Sequence, residues 1–367
     1  MQTLYPAPLA GISTSRIFPC ARRARTLHSP LLRLLAALPA LCGLLLAGLA
    51  APASAELAEL VIAQQPGIGY LNLMVMQEQK LIEKHAKQAG LGDIKVTWQA
   101  INSGQAMNEA LNADKLHIAA GGVAPLIFAW ANSQGKQEYK GIASLNTMPL
   151  LLNTKNPNIK SLADFTDKDK IAMPAVKSSI QAVTLQMAAA AAFGDANWSK
   201  LDSLTVTMSH PDATKKMLDP ANTEITAHFS SPPFQYQQLK NSSIRTVTSS
   251  YDVLNGVSSF NVLWASTKFA TDNPKLLAAF VKALEEGTTF IRSDRQGAAA
   301  LYLRVSKDKA TPKEIFDFLS DPYIEYTLTP KNVWLYSNFM ARIGAIKVRP
   351  ATWRDLFFAN VHDKSGS

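Results

Sequence analysis

Short apolar runs alternate with amphipathic stretches along the chain from about residue 58. In the first unit, short apolar strands are predicted at 60–63, 94–98 and 116–120. The helices predicted between and after them, with apolar residues at helical spacing, are 70–89 (ended by Gly90), 103–111 (capped by Ser103) and 123–132 (opened by Gly121 and Gly122). Strand and helix in alternation favour parallel sheets flanked by helices.

A second unit of the same kind occupies the middle third. The four residues Ser161–Asp164 form a capping box. The predicted strands are 170–173, 204–208, 224–229 and 244–248, and the helix 178–192. Two long extended segments, 139–153 and 246–266, bracket this unit, as two strands crossing between lobes would. Helices are then predicted from Asn273-Pro274, Thr311-Pro312 and Thr329-Pro330, followed by a polar, flexible tail at 361–367.

The first 55 residues have the composition of a secretory signal peptide. They contain five arginines and no acid, an apolar run from Leu34 to Leu49, and the small residues Ala53-Ser54-Ala55. We therefore expect export to the periplasm with cleavage before Glu56. The Arg22-Arg23 pair leaves the choice between the general and the twin-arginine route open.

Removing this leader changes the charge and the cysteine count. The formal net charge falls from +9 to +4 because five arginines leave, and both cysteines, Cys20 and Cys42, leave with them. A mild positive excess without a Lys/Arg stripe gives weak support for an anionic ligand and none for nucleic acid. The exported protein then has no disulfide, thiol nucleophile or cysteine metal site.

Motifs for catalysis and cofactor binding are absent from the sequence. The chain contains no Gly-x-Ser-x-Gly elbow or Walker A motif, and no two histidines have the i, i+4 spacing of metal ligands on a helix. A Gly67-Ile68-Gly69 run follows the first strand, but Asn72 replaces the third glycine of a dinucleotide fingerprint. We therefore predict a protein that is not an enzyme and holds no cofactor or metal.

Small polar residues open helices at the carboxyl ends of several predicted strands. The four openings are Gly67–Tyr70, Ser103-Gly104, Gly121-Gly122 and Lys177-Ser178-Ser179. Ligands of open α/β sheets bind at this edge, and free amides at helix starts attract anions. Each opening taken alone is better explained as an ordinary helix cap. Together they predict a site for one small anion, with Lys177 as a nearby charge and Phe229–Tyr236 as a rigid aromatic wall or an ordinary turn.

The order and spacing of these segments resemble a transport family. Ser161–Phe165, Lys170–Pro174 and the Ser-rich helix start after them are similar to the second lobe of periplasmic solute-binding proteins for nitrate, taurine and aliphatic sulfonates. The run Leu116–Pro125 looks like their first-lobe loop, and the resemblance covers about 58–360.

This resemblance implies a two-lobed α/β periplasmic binding fold of type 2, with mostly parallel sheets and two crossover hinge segments. Lobe one would comprise 56–145 and 255–360, and lobe two 146–254. The protein would be a monomer that closes on its ligand and delivers it to an inner-membrane ABC permease. The ligand-binding residues would be Gly69, Tyr70, Ser103, Gly121, Gly122, Asn146, Val176, Lys177, Ser178, Ser179, Ser231, Pro233 and Phe234.

The resemblance leaves the ligand open. The candidate loops contain no arginine, and Tyr70, Val176 and Phe234 match a nitrate ion poorly, so an organic sulfonate or related small anion is expected. A neutral heterocycle of the pyrimidine-precursor kind remains an alternative. So do a pyrimidine-precursor synthase, although that activity goes with a cysteine-rich segment that this chain lacks, and a sensor that docks on a receptor kinase.

Overall fold

The structure is a computed structural model that describes residues 55–367. The predicted leader therefore lies outside the described residues, apart from Ala55. Within 55–367, every helix is too short or too polar to cross a bilayer. Glu56, the expected first residue after cleavage, accepts backbone N–H bonds from Lys275 (3.0 Å) and Leu276 (2.7 Å). Its carboxylate thereby caps the helix that starts at Pro274.

The first sheet is built mainly from the first unit. Its strands are β1 (Glu59–Gln64), β2 (Lys95–Ala100), β3 (Ile118–Gly122), β4 (Tyr139–Ser144) and β11 (Asn261–Ser266), in the order β2-β1-β3-β11-β4. Strand β1 is parallel to β2 and β3, whereas β11 is antiparallel to β3 and β4. Four of its five strands therefore run in one direction.

The second sheet repeats this arrangement. Its strands are β6 (Leu151–Thr154), β7 (Ile171–Met173), β8 (Thr205–Thr207), β9 (Ala227–Phe229) and β10 (Arg245–Ser249), in the order β10-β6-β9-β7-β8. Here β7 is parallel to β8 and β9, and β6 is antiparallel to β9 and β10. In each sheet the antiparallel strand comes from one of the two predicted crossing segments. A short pair, β5 (Asn146–Thr147) with β12 (Glu325–Tyr326), lies outside both sheets.

Thirteen α-helices accompany the sheets in residues 55–367. They are α1 (Leu71–Glu78), α2 (Leu81–Gln88), α3 (Gly104–Asn112), α4 (Val123–Ser133), α5 (Ile180–Phe193), α6 (His210–Leu218), α7 (Phe234–Leu239), α8 (Ser250–Leu254), α9 (Thr267–Asp272), α10 (Pro274–Ser293), α11 (Arg295–Ser306), α12 (Pro312–Leu319) and α13 (Val333–Arg342). The predicted mixed α/β fold, with helices around two mostly parallel sheets, is confirmed. Ser103 caps α3 as predicted, its side chain accepting the N–H of Ala106.

The prediction of two long, unbroken elements is wrong, because the structure interrupts both of them. The helix expected over 70–89 is broken at Lys80, which has a left-handed backbone (φ 50°). The break lets both α1 and α2 pack on α10, where Gly287 leaves room: a Cβ there would lie 3.3 Å from Met76 and 3.7 Å from Leu81. The extended segment expected over 246–266 contains helix α8, which starts at a capping box that Ser249 makes with Asp252.

Hydrogen bonds join the C-terminal residue to the start of the last helix. Ser367 accepts backbone N–H bonds from Asn332, through its Oγ (2.9 Å), and from Val333, through its main-chain oxygen (2.8 Å). Asn332 has a left-handed backbone (φ 54°), so α13 starts at Val333 and not at the predicted Thr329-Pro330. The fully buried Trp264 of β11 lies in the main core, and its indole N–H donates to Asn108 (2.9 Å).

Candidate functional site

Three helices begin where the first and second sheet units touch. A Cβ on Gly122, the residue before α4, would lie 2.6 Å from Cγ2 of Ile180, the first residue of α5. A Cβ on Gly104, the first residue of α3, would lie 2.4 Å from Cγ of Pro125 in α4. The glycines thus permit contact that any side chain would block. Since the first four N–H groups of a helix lack intrahelical partners, three positive helix ends meet here.

The loop after β1 lies beside this junction and is held by buried side chains. Its residues Ile68–Tyr70 form a short 3₁₀ helix. The Nδ2 of Asn146 donates to the carbonyl of Gly69 (2.5 Å), and the Tyr70 hydroxyl donates to Oδ1 of Asn261 (3.1 Å). The Nδ2 of Asn261 is buried without a partner among the described residues, and burial raises the pKa of Tyr70 above its usual range. Gly69, Tyr70 and Asn146 therefore lie together, next to an unused donor.

The segment 176–179 reaches the same junction from the second unit. The Ser178 hydroxyl donates to Oε1 of Gln105 on α3 (3.0 Å), a bond between the two units. Ser179 caps α5 by accepting the N–H of Ala182 (3.2 Å) and donates its own proton to the carbonyl of Ala175 (2.7 Å). Both hydroxyl protons are therefore engaged within the protein. Of the other two predicted residues, Val176 donates its backbone N–H to Oγ1 of Thr207 (3.3 Å), and Lys177 is exposed with a left-handed backbone.

The segment Ser231–Phe234 forms a wall against the loop after β1. Ser231 is buried, and the Pro232–Pro233 peptide bond is cis. A Cβ on Gly67 would lie 3.1 Å from the carbonyl of Pro232 and 3.7 Å from the Phe234 ring. This wall is thus a second contact between the units.

Behind this wall lies a pair of buried histidines. Nδ1 of His210 lies 2.8 Å from Nε2 of His228, and the His210 ring stacks on Phe234 at 5.8 Å. Burial lowers the pKa of His210 to about 3 and that of His228 well below its usual value. Both rings are neutral at physiological pH, and they add hydrogen-bonding capacity without charge.

An open cavity of about 590 Å³ extends from Gly67 and Phe234 towards solvent. It is lined from both units, with apolar side chains such as Pro211 and Leu218 on one side. Four lysines line it: Lys215, Lys240, Lys307 and Lys309. Lys240 pairs with Glu314 (2.5 Å) and Lys215 with Asp212 (4.0 Å), whereas no carboxylate within the described chain lies in ion-pair range of Lys307 or Lys309. Asp308 also lines this mouth between the units, so its lining carries a small excess of positive charge.

The structure thus groups most of the predicted residues around the contact between the units. Gly121 lies a little apart, since a Cβ there would meet the ring of Trp264 at 3.1 Å, and Ser103 serves as the cap of α3. Two groups were missed. The histidine pair combines residues from α6 and β9, and the lysines come from α6, from the residue after α7 and from the loop after α11, so neither group has a local signature. No cluster of metal-ligating side chains is found in 55–367.

Comparison with known proteins agrees with this architecture. The sequence model of the NMT1-like family matches residues 53–304. A search of curated sequences finds no match. Among solved structures, the alkanesulfonate-binding protein SsuA from Xanthomonas axonopodis pv. citri, bound to MOPS, is similar with a TM-score of 0.64 and 18% identity, covering 81% of this chain and 96% of that chain.

Two further structures share the fold at lower identity. The periplasmic nitrate-binding protein NrtA from Synechocystis PCC 6803 has a TM-score of 0.62 and 15% identity, covering 82% of this chain and 84% of its own. The Candida albicans CA3427 gene product, described as having the generic periplasmic binding protein fold, has a TM-score of 0.60 and 12% identity, covering 80% and 92%. The chain therefore belongs to the NMT1-like family and has the fold of the periplasmic sulfonate- and nitrate-binding proteins.

Proposed function

We propose that this protein is the solute-binding component of an ABC importer and holds a small organic anion between its two sheet units. The observation that carries the proposal is the convergence of the first turns of α3, α4 and α5, two from one unit and one from the other. Unpaired amides at such ends bind anions without a charged side chain. An anion there would be held by both units at once.

Ligand binding would act through closure of the two units. We place lobe one at 56–145 and 255–360 and lobe two at 146–254, which assigns the two sheets to separate lobes. A ligand that bridges the lobes stabilises the closed state only by its extra binding to that state. Reversing a 1:99 population requires about 5.5 kcal/mol, within reach of several charge-assisted hydrogen bonds. The closed form would be the one that the permease recognises.

The cavity that opens beside the proposed anion site, from Gly67 and Phe234, leaves room for the organic part of a ligand. About 590 Å³ is within the range of small-molecule pockets, and the apolar lining suits a hydrocarbon or ring. The lysines at the mouth would steer an anion inwards. We therefore propose a sulfonate-like anion, with cleavage before Glu56, a periplasmic location and a monomeric state as parts of the same proposal.

A neutral heterocycle is the second candidate. It is favoured by the uncharged surroundings of the inner junction, where Tyr70, Asn261, His210 and Phe234 supply aromatic faces and neutral hydrogen-bonding groups. A thermal-shift screen separates the two. A ligand at 100 times its dissociation constant should stabilise the protein by about 2.7 kcal/mol. The panel comprises MOPS, taurine, nitrate, small carboxylates and pyrimidines.

The screen is followed by two measurements on the best hit. Small-angle scattering should show a smaller radius of gyration with the ligand than without it, and mass spectrometry should recover the ligand unchanged. Ser178→Ala should weaken binding, because the Ser178–Gln105 bond joins the units beside the anion site. Product formation would overturn the binding-protein proposal in favour of an enzyme, and pyrimidine binding without sulfonate binding would favour the second candidate.

A further inference from the structure

Four buried polar side chains form one hydrogen-bonded row behind the wall of the second unit. The row runs from Gln238 on α7 through His228 on β9 and His210 on α6 to Gln181 on α5, with gaps of 2.6, 2.8 and 3.2 Å between their facing nitrogen atoms. The side chains are between 0% and 6% exposed. At such burial each N–H must find an acceptor, so the row has a definite direction.

The direction is set at the Gln238 end. Nδ2 of Asn153 donates to the backbone carbonyl of Gln235 (3.1 Å), which can only accept, so the amide of Asn153 has one orientation. The same Nδ2 donates to Oε1 of Gln238 (3.2 Å). The amide of Gln238 is therefore also fixed, and its Nε2 donates to Nδ1 of His228.

The two imidazoles pass this direction on. His228 accepts at Nδ1, and because burial lowers its pKa it is neutral, so its single proton is on Nε2. That proton is donated to Nδ1 of His210. His210 is neutral for the same reason, so its own proton is on Nε2 and points at the terminal amide of Gln181.

Only the oxygen of Gln181 can accept this proton. The structure has Nε2 of Gln181 at this place, but the N and O of a terminal amide are assigned from the network they join, and two N–H donors cannot bond each other. With Oε1 towards His210, the NH₂ group takes the place of the other amide atom, for which the structure shows no hydrogen bond within residues 55–367. Gln181 follows Ile180 at the start of α5, where Ile180 contacts Gly122 across the junction.

We propose that Gln181 is a ligand-binding residue whose NH₂ group, oriented by the His210–His228 pair, donates to an acceptor atom of the bound solute. The inference rests on the proposed binding function and narrows its ligand class. A sulfonate or carboxylate oxygen, or an unprotonated ring nitrogen, matches this donor, whereas an ammonium group at that position is rejected because two donors would face each other.

The orientation is tested without ligand. In ¹⁵N-labelled protein at pH 7, long-range ¹H–¹⁵N spectra should show His210 and His228 both protonated at Nε2. An Nδ1-protonated form of either ring would overturn the proposal, since the row would then run in another direction.

The binding role is tested with MOPS as the probe, by calorimetry on the purified protein. Gln181→Glu keeps an oxygen for the His210 proton and replaces only the NH₂ group, so it should weaken MOPS binding by about 10- to 100-fold. Gln181→Met should weaken it in the same direction. The control Gln88→Glu makes the same chemical change at an exposed helix end and should bind as the unmodified protein does.

The outcomes separate the two levels of the proposal. If the unmodified protein binds MOPS and Gln181→Glu binds it equally well, the role of Gln181 is wrong while the binding function stands. If the unmodified protein binds neither MOPS nor any other member of the ligand panel, the binding function fails and the role of Gln181 fails with it.

Discussion

The buried histidine pair should make the fold sensitive to mild acid. His210 and His228 are neutral in the folded protein because burial lowers their pKa values, His210 to about 3. In the unfolded chain each ring titrates near 6.5. The folded pKa is below the unfolded one, so the unfolded chain binds more protons as the pH falls. The stabilising contribution of each ring is therefore complete above about pH 6.5 and is lost progressively below it.

The size of the effect follows from the same two values. For a ring with a pKa of 6.5 unfolded and about 3 folded, lowering the pH from 7 to 5 reduces the free energy of unfolding by about 2 kcal/mol. His228 adds to this in the same direction. The carboxyl of Glu314 contributes below this window. It is exposed, and hydrogen bonds from Lys240 and Thr311 lower its pKa to about 2.

Urea unfolding followed by circular dichroism, at half-unit steps from pH 7 to 5, measures this loss. The double variant His210→Gln with His228→Gln should be less stable at pH 7. Between pH 7 and 5, however, its free energy of unfolding should fall by at least about 2 kcal/mol less than that of the unmodified protein. His117→Gln should change the slope less, because burial lowers the pKa of that half-exposed ring to a smaller extent. Unchanged stability of the unmodified protein across the window, or an unchanged slope in the double variant, would refute the assignment of two neutral rings.

Three further predictions concern closure, the chain start and ligand entry. Gly122→Val should enlarge the radius of gyration of the liganded protein and weaken binding, because its side chain would collide with Ile180; adding Ile180→Ala should restore part of both. Glu56→Gln should lower the free energy of unfolding by about 1 kcal/mol, because α10 loses its charged cap. The control Glu285→Gln makes the same chemical change at an exposed position within α10 and should leave the free energy of unfolding unchanged. Lys309→Gln should slow anion association at low salt, and added salt should abolish the difference in stopped-flow rates.

The order of the elements was predictable because it depends on local signals. Ser103 and the Ser161–Asp164 box mark helix starts in the sequence, and both cap as predicted. The break at Lys80 was not predictable, because it depends on how α1 and α2 pack on α10. Helix α8 carried a readable signal, since Ser249 and Asp252 have capping-box spacing.

The candidate site was predictable only in its glycines and hydroxyls. Gly122 and Ser178 lie at the contact between the units because strand ends in an α/β sheet lie at one edge. The His210–His228 pair could not be found this way, since 18 positions separate the two residues and the second sheet unit brings them together. Lys307 and Lys309 reach the cavity from a loop that carries no motif.

The placement of charge has a physical consequence for how a solute would be selected. The inner junction offers neutral donors, namely helix amides, the Asn261 amide and the row that ends at Gln181. Neutral donors cost less to desolvate than cations, so the closed site can be dry without a buried charge. The lysines stay at the solvent-exposed mouth, where salt screens them. Salt should therefore change how fast an anion arrives, whereas substitutions at the inner donors should change which anion stays bound.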